Sequence, residues 1–101
     1  MEVVISDFVT DYFRHDKDYQ QLHDFVQTHL PTYVATHSSK IKPVRGSHPH
    51  LYELRVKVGR ESYRLGYQFE QERLQVLFIS DILQKVKFDR DFNRYLNHEI
   101  S

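Results

Sequence analysis

The sequence predicts an α+β domain with helices at both ends packed on a small antiparallel sheet. Three observations carry this. Apolar residues recur at three- and four-residue steps before Pro31 and again after Leu83. Two segments between Tyr52 and Phe69 alternate apolar with polar, and a nearly continuous apolar run, Leu74 to Ile79, follows them. With 101 residues, 40% hydrophobic and 28% charged, and only three Gly and three Pro, the chain is expected to be one domain, 1–101, that folds alone.

Ser6 or Asp7 is placed to cap a helix whose stripe is Phe8, Tyr12, Phe13, Tyr19, Leu22, Phe25, Val26 and Leu30. Asp16 to Asp18 interrupts that stripe, so the segment reads as one or two helices ending near Pro31, with Asp18 capping the second. The helical pattern stops at Tyr33-Val34-Ala35-Thr36. A short strand is expected over Lys40 to Val44, before a turn at Arg45-Gly46-Ser47-His48-Pro49. In the next strand Leu54, Val56 and Val58 take one face while Glu53, Arg55 and Lys57 take the other. Gly59-Arg60 reverses the chain, and Tyr63, Leu65, Tyr67 and Phe69 then oppose Arg64. A second reversal over Glu70 to Arg73 leads to the apolar strand, and Leu83 to Ile100 is spaced as a helix packed on the sheet. The expected core is Leu54, Val56, Leu65, Tyr67, Leu77 and Ile79, with Phe25 and Phe92.

The chain has no cysteine, which removes a disulfide framework, a thiolate nucleophile and Cys-ligated zinc, and which suits a reducing cytoplasm. Its first residues lack a cationic segment followed by a long apolar run, and nowhere do about eighteen apolar residues occur together. Neither export nor membrane insertion is expected. The formal net charge is zero, yet the charge is unevenly spread. Residues 1–36 carry two cations against six anions, residues 37–67 seven against two, and residues 68–101 five against six. The middle third is the electropositive part, suited to an anion and above all to RNA.

Arg55 and Arg64 fall on the polar faces of adjacent antiparallel strands, so their guanidinium groups converge on one side of the sheet, with Lys42 and Arg45 extending that side. Glu53 shares the face of Arg55 and is expected to pair with it; a general base is its other reading. Seven histidines include His48-Pro49-His50, but none forms the helical pair with a neighbouring carboxylate that zinc hydrolysis uses, so no metal and no cofactor is expected. Turn histidines of this kind are ordinarily just polar.

Lys40-Ile41-Lys42-Pro43-Val44-Arg45-Gly46, Leu51-Tyr52-Glu53-Leu54-Arg55, Tyr63-Arg64-Leu65-Gly66-Tyr67 and the strand Val76 to Ile79, in this order, resemble the RelE/ParE superfamily of toxins from bacterial type II toxin–antitoxin systems, particularly its HigB-like, phage-derived branch. The resemblance implies a RelE-like fold and a metal-independent endoribonuclease that cuts messenger RNA on the ribosome, inhibits translation and is restrained by an antitoxin. It further implies that Arg55 and Arg64 face the scissile phosphate and that Lys40, Lys42, Arg45, His50 and Lys85 hold RNA. Active members place His, Tyr or a basic run after the last strand. Here that stretch reads Ser80-Asp81-Ile82-Leu83-Gln84, which leaves Asp81, or His50 from the turn, as the candidate base. A non-catalytic ParE-like protein directed at a target such as gyrase, and a small RNA- or protein-binding accessory domain, remain as alternatives.

Overall fold

The computed structural model describes residues 1–100, with side chains described as far as Glu99. Along the chain run β1 (Glu2–Ile5), α1 (Asp7–Thr10), α2 (Asp16–Thr28), α3 (Leu30–Ala35), β2 (Lys42–Pro43), β3 (Leu51–Val58), β4 (Glu61–Glu70), β5 (Arg73–Ser80) and α4 (Lys85–Ile100). The strands form one sheet in the order β1-β5-β4-β3-β2. The α+β class is as expected, but the sheet is mixed where an antiparallel one was expected. β1 pairs in parallel with β5, Val3 beside Leu74 and Ile5 beside Val76. Val3-Val4-Ile5 is too short to show a period, and its partner strand lies some seventy residues on.

Three local expectations are corrected as well. The second helix starts at Asp16, so Asp16 and Asp18 both sit in its first turn, where carboxylates favour the positive end of the helix dipole. Pro31 opens the short helix α3 and does not end one; its missing N–H costs nothing in a first turn. The strand expected over Lys40 to Val44 shrinks to Lys42–Pro43, because Pro43 has no N–H to give and is tolerated only at a sheet edge.

The central hairpin needs Gly59, whose φ of +61° opens the two-residue turn between Val58 and Glu61. In the next turn Gln71 and Glu72 have φ of +52° and +61°, the pattern of a type I′ turn built without its usual Asn-Gly. Each left-handed side chain there costs roughly 1–2 kcal/mol. Replacing Gln71-Glu72 by Asn-Gly is therefore expected to raise stability by about 0.5–1 kcal/mol, read as a higher urea midpoint at constant slope.

Both faces of the sheet are covered. Leu54, Val56, Leu65, Tyr67, Leu74, Val76 and Ile79 meet Val9, Leu22, Val26 and Leu30 on one side. On the other, Leu51 and Phe78 meet Phe88, Phe92 and Leu96 of α4, together with Val44. Of the expected core, Phe25 and Leu77 are only half-buried. Leu77 has no partner in the β4–β5 register, which slips by one residue between Gly66/Phe78 and Tyr67/Val76. The bulge turns Leu77 and Phe78 toward the same cluster, beside α4.

Candidate functional site

Alternation carries Glu53 and Arg55 of β3, and Arg64 of β4, to the α4 side of the sheet. Arg55 stands directly opposite Arg64, while Glu53 stands opposite Gly66, whose missing side chain makes room for the Phe92 ring. Arg64 reaches diagonally across the two strands to Glu53. Its Nη1 donates to Glu53 Oε2, and its Nε donates to the Leu83 carbonyl at 2.6 Å. The expected Glu53–Arg55 pair is thus a Glu53–Arg64 pair, and Arg55 has no ion-pair partner among the described residues.

The pair is deeply placed: the Glu53 side chain is 0% exposed and that of Arg64 14%. Glu53 Oε1 is buried without a hydrogen-bond partner among the described residues. Burial raises the Glu53 carboxyl above its ordinary range; the Arg64 guanidinium and the Lys85 ammonium pull it down, and Asp89 adds to the rise. Such a carboxylate is a better proton acceptor than an exposed one.

Lys85 closes one wall. Its Nζ donates to the Pro43 carbonyl at 2.8 Å and to Asp89 Oδ1 and Oδ2 at 3.1 and 3.0 Å. Asp89 Oδ2 in turn accepts from the Arg45 backbone N–H at 3.2 Å, and Asn93 Nδ2 donates to the Arg45 and Asp89 carbonyls, both at 2.8 Å. These contacts pin the β2–β3 connection to α4. The outcome is a cavity of about 450 Å³ lined by Lys40, Lys42, Glu53, Arg55, Arg64 and Lys85. Five cations surround one buried carboxylate, an arrangement suited to a phosphodiester and to moving a proton beside it.

The other sequence candidates lie elsewhere. Arg45 faces a separate hollow with Arg90, Arg94 and Asn97. His50 sits before β3, its Nε2 3.7 Å from Glu70 Oε2. Asp81 lies near Tyr12 and Tyr63, on whose hydroxyls its charge acts, and does not line the cavity. Sequence reasoning missed the depth of Glu53 and the anchoring role of Asp89. Among the described residues no three His, Cys, Asp or Glu side chains are grouped to hold a metal ion, and no helix is long and apolar enough to cross a membrane. Set against protein-family models, curated proteins and solved structures, the chain matches none of them.

Proposed function

We propose that the protein is a RelE-type toxin that cuts messenger RNA on the ribosome in the cytoplasm and is held inactive by a partner antitoxin. The observation that supports cleavage is the buried Glu53 carboxylate, with Oε1 unpartnered, inside a ring of five cations. In this reading bound RNA draws the Arg64 guanidinium toward its phosphate and uncovers the buried Glu53 carboxylate. The ribose 2′-hydroxyl oxygen bonds to the adjacent phosphorus while its proton passes to Glu53. The bond from phosphorus to the 5′ oxygen then breaks, and that oxygen takes a proton from a water molecule, whose hydroxide recovers the proton held by Glu53, leaving a 2′,3′-cyclic phosphate and a 5′-hydroxyl. Arg55 and Arg64 offset the charge of the five-coordinate phosphorus, and Lys40 and Lys42 hold the flanking phosphates.

One observation favours the non-catalytic, ParE-like alternative: the end of β5 gives the cavity no acid, since Asp81 lies by Tyr12 and Tyr63. Purified protein mixed with ribosomes and message separates the two. Cut message, with translation stopped on induction in bacteria, is the expected result. Growth arrest with intact message moves the reading to a protein target, and loss of both effects overturns it. Arg45→Ala, outside the cavity, is expected to weaken ribosome binding in a salt-dependent way while leaving the rate of cutting at saturation unchanged.

A further inference from the structure

β2 covers only Tyr52 and Glu53 of β3. Leu51 turns its carbonyl toward the β2 side, where it accepts from the Val44 N–H at 2.9 Å, and by strand alternation the peptide groups of Arg55 and Lys57 point the same way. There they meet no backbone partner among the described residues. Over this open edge, between α2 and β3, runs a groove of about 400 Å³ whose lining includes Phe25, His29, Tyr33, Lys40, Arg55 and Lys57. Lys40 and Arg55 also line the Glu53–Arg64 cavity, so the two spaces are neighbours across the sheet edge.

We infer that this groove is a nucleobase subsite, holding the base of a single-stranded RNA nucleotide whose phosphate lies in the Glu53–Arg64 cavity. The inference rests on the RNA reading of that cavity. The rings of Phe25 and Tyr33 pack edge to face, 5.9 Å apart at 65°, and offer aromatic surface on which a flat base can stack. Lys40 Nζ lies over one face of the Tyr33 ring, 5.2 Å from its centre, which places a cation for the phosphate of a nucleotide whose base sits against the rings. Asp24, also in the lining, accepts amino hydrogens of a base and repels phosphate. The charge order therefore fixes the direction: base toward α2, phosphate toward Arg55 and Arg64. Unpaired N–H and C=O groups at the strand edge offer hydrogen bonds to base edges.

The test is fluorescence anisotropy with a labelled single-stranded RNA trinucleotide and with the same molecule made abasic at each position in turn. The parent is expected to bind one abasic form about tenfold more weakly than the intact RNA. Tyr33→Leu should lose about the same factor for the intact RNA and nothing further for that abasic form. Thermal melting verifies that Tyr33→Leu is folded, and His29→Ala, an exposed position, should give a smaller loss of the same kind. Equal binding of all RNAs by the parent, or an equal effect of Tyr33→Leu on intact and abasic forms, overturns the subsite. Lys42→Ala touches only the phosphate cavity. If it weakens all the RNAs alike while Tyr33→Leu does not discriminate, the cavity reading survives without the groove; if neither variant changes binding, both fall, and the open edge is left for a protein strand.

Discussion

Arg64→Ala is expected to destabilise the fold by about 3–5 kcal/mol and to lower cleavage by roughly 10² to 10³. The first effect follows from burial. Glu53 is 0% exposed and has Arg64 as its ion-pair partner, so removing the guanidinium leaves a carboxylate in the interior with only the weaker pull of Lys85 to offset its lost hydration. The size of the loss depends on pH, and its sign follows from Glu53. Its native pKa is raised above the ordinary 4.5, so the stability it contributes is fully present below that value and is lost as pH rises through the raised one. Arg64→Ala takes away the main force pulling that pKa down, which makes the loss at pH 7 larger than at pH 4 in urea titrations. A double variant, Glu53→Leu with Arg64→Met, separates structure from chemistry: it is expected to be at least as stable as the parent and inactive. A loss below about 0.5 kcal/mol for Arg64→Ala, with cleavage unchanged, would remove the pair from both roles.

Why Arg55 and Arg64 were legible and Asp81 was not comes down to register. Strand alternation and the Gly59-Arg60 reversal alone place the two arginines opposite one another, and Arg55 does pair with Arg64. Counting onward from the turn between Glu70 and Arg73, an unbroken ladder would set Arg64 against Ile79 and bring Asp81 to the same face. The bulge shifts the ladder by one residue, sets Arg64 against Ser80 and turns Asp81 to the opposite side. No local residue pattern announces that slip, which also displaces Leu77 from its expected place. The partner of Glu53 was hidden for a related reason. Pairing along one strand is visible in sequence, but a diagonal pair across two strands depends on register. β1 was hidden by brevity, and Asp89 by helical context, since only its contact with the Arg45 N–H marks it as an anchor.

Phe92→Ala carries the second large effect, an expected loss of about 3–5 kcal/mol. Phe88, Phe92 and Leu96 recur every four residues and form the apolar stripe by which α4 holds the sheet. Phe92 is the middle contact, 0% exposed, stacked on Phe78 at 5.3 Å and 5° and tilted against Phe88 at 5.9 Å. Its ring lies so close to Gly66 that a Cβ there would come within 2.5 Å of Phe92 Cε2. The floor of the site is therefore strand backbone, which cannot move in to fill the space a lost ring would leave. Gly66→Ala alone is expected to cost about 1–3 kcal/mol by overpacking, yet in the Phe92→Ala background the added methyl enters vacant space and should restore part of the loss. Additive effects in that cycle would show that the ring and the glycine do not share one contact. Because α4 also carries Lys85 and Asp89, which hold the β2–β3 connection at the cavity wall, Phe92→Ala should lower RNA affinity at temperatures well below its own melting point. Unchanged affinity there would mean that the polar contacts of Lys85 and Asp89 fix the wall without help from the apolar stripe beneath them.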